Sequence, residues 1–192
     1  MTAQWREPDD ITADLLSGDA QRIRTGLTDL REFAKDGDEF ELPALDASLL
    51  LPMGDSPPPD AVLNLSHLLA RYRSFIPQPS RSDVIIQLVE LAMRYAVSQV
   101  IYEAAIEIAI EDDPGAAARM VVNYLGERGL AKPHELEAGR KLITYLLEAK
   151  PVVRRATAEA LAAWPAGDAR RTVVAAVRAL IDPDQRARVT PD

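Results

Sequence analysis

The chain has 192 residues, of which 47% are apolar, and its 30 acids and 22 bases give a formal net charge of −8. This length is enough for one well-buried domain or a short helical array. The absence of cysteine excludes disulfides and thiolate chemistry. The acidic balance disfavours a protein that binds phosphate backbones, because such binding requires a surplus of Lys and Arg.

The beginning of the chain bears on where the protein works. The first ten residues, MTAQWREPDD, contain neither a basic segment nor an apolar run, so we expect no signal peptide. No apolar run reaches the ~18 residues that a membrane-spanning helix needs. A cysteine-free chain fits a reducing compartment, and we therefore predict a cytoplasmic protein.

Apolar residues recur every three or four positions along most of the chain, which predicts helices. Towards the end of the chain, for example, this spacing is followed by Val153, Ala156, Ala160, Leu161 and Trp164. No segment alternates with a period of two, so we expect no sheet. The predicted fold class is all-α, with about nine helices, or ten if a short first one is counted, near residues 9–17, 19–35, 40–51, 58–74, 81–95, 98–111, 114–128, 133–149, 151–164 and 166–181.

Prolines mark where the later helices begin. They recur at intervals of 14 to 19 residues, at Pro114, Pro133, Pro151, Pro165 and Pro183. Proline is tolerated in the first turn of a helix but breaks its interior. The aspartates that precede the first and last of these prolines are suited to cap a helix N-terminus.

A weak internal repeat connects the helices. Similar apolar patterns start at Ile23, Val62, Val100 and Val153, which are separated by 39, 38 and 53 residues. The first two intervals suit a unit of two helices, and the third leaves room for about one extra helix. One helical hairpin cannot bury its own apolar face, so such units stack. We predict a short α-solenoid of about four to five antiparallel hairpins, forming a single domain over residues 1–192 with a frayed tail at 185–192.

One segment resembles a known repeat family. Residues 152–188, VVRRATAEALAAWPAGDARRTVVAAVRALIDPDQRAR, are similar to a HEAT repeat. They have Val-Arg near the start of the first helix, alanines inside it, a Gly-Asp turn and a second helix that closes on Leu-Ile-Asp-Pro-Asp. The Val-Arg that would open a next unit is replaced by Arg186-Ala187-Arg188. The resemblance is weaker over residues 96–129 and faint over 18–95.

Two acidic clusters are candidates for binding a partner. Glu103, Glu107 and Glu111 are spaced by four residues, which predicts one acidic stripe along a helix, and Asp112 extends it. Like charges at this spacing destabilise a helix slightly, so the stripe points to an external basic partner. The alternative is that Arg119 or Arg140 on a neighbouring helix neutralises the stripe.

The second acidic cluster surrounds two apolar residues. Its acids could form the rim of a contact patch around Phe40 and Leu42; the competing explanation of the charges is loop solvation. The residues of this cluster that we assign to partner binding are Asp36, Asp38, Glu39 and Glu41.

The sequence offers little for catalysis. His67 and His134 are its only histidines, and neither stands in a motif that would bind a metal or assist a nucleophile. Glycine-rich phosphate-binding loops are also missing. We predict that the protein is not an enzyme and that it holds no metal and no cofactor.

The predicted function is therefore binding. The opening LLSGDAQRIRTGLTDLREFAKDG is similar to that of helical-repeat immunity proteins of bacterial polymorphic toxin systems. This resemblance implies a cytoplasmic protein that occludes a cognate toxin, with the acidic clusters facing a basic toxin domain. One alternative is a HEAT-like scaffold or adaptor in a bacterial assembly. Another, less favoured by the acidic charge, is a HEAT-like protein that binds nucleic acid or acts as a lyase.

Overall fold

The computed structural model describes residues 6–35, 45–71, 81–186 and 188–189. Within these ranges the chain is helical and contains no strand, which confirms the all-α class. Ten α-helices occur there: α1 Pro8–Leu15, α2 Ala20–Lys35, α3 Pro59–Arg71, α4 Arg81–Tyr95, α5 Ser98–Ile110, α6 Pro114–Arg128, α7 Pro133–Glu148, α8 Pro151–Ala162, α9 Asp168–Val177 and α10 Pro183–Arg186.

Two predicted helices differ in type over part of their length. The helix predicted at 166–181 ends in a short 3-10 helix at Arg178–Leu180, and the other difference lies near residue 50. The expected helix over 40–51 falls partly outside the described residues, and the part that is described is a 3-10 helix at Ala47–Met53. Asp46 begins it by accepting a hydrogen bond from the Ser48 backbone nitrogen at 2.6 Å. Pro52 has no backbone N–H and cannot extend a regular α-helix through this segment. Gly54 ends it at a φ of 75°, a conformation that favours glycine.

The chain divides into two compact units, residues 1–87 and 88–192. The prediction of one domain over 1–192 stays a prediction. The predicted frayed tail begins at residue 185, yet Val189 is buried; residues 187 and 190–192 lie outside the described ranges.

In the first unit, α2 contacts α1, α3 and the 3-10 helix. The apolar row of α2 supplies the centre of this core through Ile23, Leu27 and Leu30, all of them buried. Leu65 and Leu68 of α3 are fully buried too. The three-to-four-residue spacing read from the sequence therefore marks the face that packs inward.

In the second unit, alternate helices contact one another. Helix α5 contacts α6 and α7, α7 also contacts α8 and α9, and the most extensive contact joins α6 to α8. Small residues let α6 and α8 approach closely: a Cβ placed on Gly115 would lie 3.8 Å from Ala156 Cβ. At the other end, Gly126 of α6 faces Trp164 just beyond α8. The two helices therefore run in the same direction.

Trp164 holds the far end of this contact together. Its indole Nε1 donates a hydrogen bond to the Val122 carbonyl at 2.6 Å, and its ring is buried. Trp164, the last residue of the apolar row that the sequence predicts for this helix, is therefore part of the core. The ring lies directly over Gly126, where a Cβ would be 2.8 Å from Trp164 Cδ1.

Most of the later helix starts follow the predicted chemistry, but α9 begins at Asp168 and not at Pro165. Asp113 accepts a hydrogen bond from the Ala116 backbone nitrogen at 2.8 Å, and Pro114 occupies the first turn of α6. At the next helix, the Glu135 carboxylate accepts one from the Lys132 backbone nitrogen at 3.0 Å. Each bond satisfies a donor that the helix itself leaves unpaired.

We predict that Val153→Asp destabilises the second unit and that Val152→Asp does not. Val153 is 0% exposed, so an aspartate there would bury an uncompensated charge and cost about 3 kcal/mol or more of unfolding free energy. Val152 also lies in the first turn of α8 but is largely exposed, which makes it a matched control. Equal thermal stability of the two variants would contradict the assignment of Val153 to the core.

We also predict that Gly126→Ala is destabilising although alanine favours helices. The helix propensity of alanine exceeds that of glycine by about 1 kcal/mol, but the new Cβ would collide with an indole that its hydrogen bond holds in place, which costs about 1–3 kcal/mol. The control is Asn123→Ala at an exposed position of α6, for which we expect no loss. Denaturant unfolding in which Gly126→Ala is the more stable of the two would refute this packing.

Candidate functional site

The outer face of α5 carries a row of large apolar side chains. Tyr102, Ile106 and Ile110 are 52%, 38% and 60% exposed. They are four residues apart, so neighbouring members of the row lie about 6 Å apart along the helix axis. The opposite face of α5 is buried through Val100, Ala104 and Ile108, among others. Helix α5 is thus apolar on both its covered and its uncovered sides.

The predicted acidic stripe follows a different path along the same helix. Glu103 and Glu107 each follow a member of the apolar row by one residue, which places them about 100° further around the helix. Glu107 is only 7% exposed, whereas Glu103 is half-buried. Glu111 follows the last residue of α5 and is half-buried, and Asp112 is exposed.

The four acids are therefore not one solvent-facing stripe. Glu103, Glu111 and Asp112 border the apolar row, and Glu107 lies in the interior. Each of the four takes part in an interaction within the chain. The two arginines considered as neutralising partners pair with other acids: Arg119 with Glu159 at 4.0 Å and Arg140 with Glu137 at 2.6 Å.

Tyr145 extends the surface of α5, and Val152 is exposed near the far end of that helix. The rings of Tyr102 and Tyr145, the latter on α7, meet edge to face with centroids 5.5 Å apart. At the other end, exposed Val152 lies beside the start of α6, with its Cγ2 3.2 Å from where a Gly115 Cβ would be. A turn of three residues joins that start to Ile110. We call Tyr102, Ile106 and Ile110, together with Tyr145, the α5 surface.

This surface was not predicted from the sequence, because partner binding was assigned there to acidic residues only. A signal was nonetheless present in the segment IYEAAIEIAI. Six positions of α5 are buried, among them Val100, just before this segment, and Ala104, so the remaining large apolar residues of the helix lie elsewhere on its surface. A helix that is apolar nearly all round requires cover on every side.

The second predicted acidic cluster is not tested. Asp36, Asp38, Glu39 and Glu41 lie outside the described residues. The nearby Asp46 is described, and it caps the 3-10 helix.

A network of polar side chains connects α4, α6 and α7. Arg128 Nε donates to Glu90 at 2.6 Å and its Nη2 to Glu135 at 3.2 Å, while Tyr124 donates its hydroxyl to Glu90. Burial and the Glu90 carboxylate raise the pKa of Tyr124 to about 12, so the phenol stays protonated and remains a donor. These hydrogen bonds join the three helices.

The pKa of Glu135 reflects competing effects in that network. Burial acts to raise the pKa, but the hydrogen bond from the Lys132 backbone and the ion pair with Arg128 outweigh it. The pKa of Glu135 therefore lies below its ordinary value, and the carboxylate remains ionised as the partner of Arg128.

In the first unit, a second ion-pair cluster surrounds Asp14. This buried carboxylate accepts from Arg22 Nε at 2.8 Å and lies 2.7 Å from Arg6 Nη1, which also reaches Asp29 at 2.9 Å. The hydrogen bond from Arg22, followed by that from Arg6, lowers the pKa of Asp14. The cluster ties α1 to α2.

An open depression of about 230 Å³ adjoins this cluster, between α2 and α3. Arg24 and Asp60 line it and bind each other at 2.8 Å. The remaining lining residues are polar, namely Gln21, Thr25, Thr28 and Asp29. Thr25 and Thr28 hydroxyls donate to backbone carbonyls of their own helix, so the wall of the depression is largely self-satisfied.

The described histidines and the arginines of the later helices differ in burial and in their contacts. His67 is buried and His134 is exposed. Arg154 donates to the Leu147 carbonyl at 2.7 Å, and Arg170 is buried. Across the part of the chain that is described, no three His, Asp or Glu side chains are arranged to hold a metal ion. Over the same ranges no helix is both long and apolar enough to cross a membrane.

Comparison with known proteins adds no family. No protein-family model, curated protein or solved structure matches this chain. The feature of this chain that points to a function is the α5 surface.

We predict that Asp14→Asn lowers stability at neutral pH by about 1 kcal/mol; half-exposed Arg22 is partly screened by solvent, which limits the effect. The folded-state pKa of Asp14 is depressed. Its stabilisation is therefore complete above the unfolded value of about 3.9 and is lost as pH falls through the folded value. The stability difference from the parent chain should accordingly shrink below about pH 4.

Asp10→Asn is the control for this prediction, because Asp10 is exposed on the same helix. Chemical unfolding at a series of pH values measures both variants. A stability loss for Asp14→Asn that is independent of pH would show that the ion pairs contribute nothing.

Proposed function

We propose that this chain is a protein-binding helical-repeat protein of the HEAT type, most specifically an immunity protein that occludes a cognate bacterial toxin. The single observation that carries the binding role is the uncovered apolar row of α5. Tyr102, Ile106 and Ile110 place three large side chains in water on one helix face. A contiguous exposed apolar patch commonly marks a protein-interaction site.

The helix contacts of the second unit support the repeat part of the proposal. In a stack of hairpins, equivalent helices of successive units lie side by side. Here α7 contacts both α5 and α9, and α6 contacts α8. Those pairs are the equivalents expected if α5–α6 and α7–α8 are two hairpins, a division that places the two helices of the HEAT-like segment, α8 and α9, in successive units.

The charge around α5 supports a basic partner. Residues 97–137 contain eight acids and three bases, and Glu103, Glu111 and Asp112 border the apolar row. Interfaces combine apolar anchors with a polar rim, and complementary charge speeds encounter and rejects unsuitable partners. A basic toxin domain with an apolar contact of its own would match both features.

The proposal that the partner is a toxin depends on the resemblance of residues 15–37 to immunity proteins. An occluding inhibitor needs a rigid surface and no reactive group of its own. The described polar networks at Arg128 and Asp14 fit this requirement, since their groups bind one another. The scaffold or adaptor alternative would use the same surface on a different partner.

The decisive experiment co-expresses the chain with each protein encoded beside its gene. We expect one of those proteins to be toxic alone, to be tolerated with the chain, and to co-purify with it. Ile106→Glu should weaken that complex at least ~30-fold, since a buried charge at a central anchor costs about 2 kcal/mol or more. Titration calorimetry measures the dissociation constant.

Leu51→Glu is the matched control, because Leu51 is an equally large apolar residue that is exposed outside α5. It should leave the complex and the protection unchanged. An Ile106→Glu variant that stays folded and binds as tightly as the parent chain would remove α5 from the proposal. A neighbouring toxin that is tolerated without co-purifying would remove the occlusion mechanism.

A further inference from the structure

The α5 surface has a shape that selects the kind of element it can receive. We infer that it binds an amphipathic α-helix of the partner, one that carries apolar side chains along one face and Lys or Arg beside them. This inference rests on the proposed function, because it names the element by which a basic partner docks.

The apolar row of α5 has the spacing of a ridge that packs against another helix. Tyr102, Ile106 and Ile110 span about 12 Å in two steps of one helical turn each. They form a ridge of the i, i+4 type, and such a ridge packs into the groove between corresponding ridges of a second helix. Tyr145 bounds one side of the ridge through its ring contact with Tyr102.

Backbone hydrogen bonds favour a helix over an extended segment as the occupant of this surface. An extended segment laid on α5 would bring N–H and C=O groups that need partners. Binding by strand addition supplies those partners from an exposed sheet edge, and the described ranges of this chain contain no strand. A helix arrives with its backbone groups already paired, so it can bury its apolar face on α5 without that penalty.

The charge of the segment around α5 favours a basic occupant. The segment that contains α5 carries a surplus of five acids over bases in residues 97–137. Glu103, Glu111 and Asp112 have interactions within the chain, and Glu137 pairs with Arg140 and Lys141 from outside the segment, so part of this surplus is compensated. An acidic helix would be repelled and a basic one attracted. The same surplus, with a net charge of −8 for the chain, disfavours a second copy of this protein as the occupant.

The experiment titrates designed peptides into the full-length chain. The first peptide places leucines on one helical face with lysines on both flanks. A second replaces every lysine by glutamate, and a third keeps the composition of the first but distributes the leucines around the helix. Chemical-shift changes in the isotope-labelled chain report affinity and location.

We expect the first peptide to bind at least tenfold more tightly than either of the others and to shift the amides of α5. Ile106→Glu should weaken it at least tenfold and Leu51→Glu less than twofold. The double variant Glu103→Lys with Glu111→Lys should weaken it at least fivefold at low salt, with a smaller effect at high salt because ions screen exposed charges. Glu107 is left unchanged because it is buried.

Three results would overturn the inference: equal binding of the first and third peptides, no effect of Ile106→Glu, or an oligomer of the free chain that sedimentation shows to depend on Ile106. These results are separable from a failure of the proposed function. A toxin captured through Ile106 without any peptide binding would overturn only the helix. Peptide binding with no toxin among the neighbouring gene products would keep the helix and overturn the immunity role.

Discussion

A helix can bury only the part of its surface that neighbouring helices cover, and α5 has apolar side chains beyond that part. Its inward side is filled by residues such as Val100, Ala104 and Ile108, while Tyr102, Ile106 and Ile110 remain outside. Exposed apolar area of this kind costs free energy in water, at about 25 cal/mol per Å². The functional interpretation depends on that imbalance, because a partner that covers the row recovers the lost burial.

The rest of the second unit fixes α5 in place. Its neighbours α6 and α7 are held by the close contact of α6 with α8, by the Trp164 hydrogen bond to Val122, and by the Arg128 network. These interactions use hydrogen-bonded or paired polar groups in positions where unpaired ones would be costly. The surface is therefore presented by a packed scaffold, which reduces the entropy that binding would otherwise have to overcome.

Much of this fold could be predicted from sequence, because proline and aspartate mark helix starts locally. Asp113 and Pro114 are an example, and α6 begins where they predict. The 3-10 helix at Ala47–Met53 was missed because its type depends on Pro52 and Gly54 rather than on apolar spacing. The sequence predicts the helix that carries the candidate site, but not which of its side chains face water. Whether Glu107 or Ile106 faces water depends on which sides of α5 the neighbouring helices cover, and the sequence does not state those long-range contacts.

The central claim is that a partner covers the outer face of α5. Covalent footprinting by mass spectrometry tests it directly, by labelling exposed side chains of the chain alone and in complex with the partner that co-purifies with it. The account predicts that labelling of Tyr102, Ile106 and Ile110 falls several-fold in the complex, while the exposed Leu16 and Leu51 are labelled as before. Undiminished labelling of all three α5 residues in a saturated complex would contradict it.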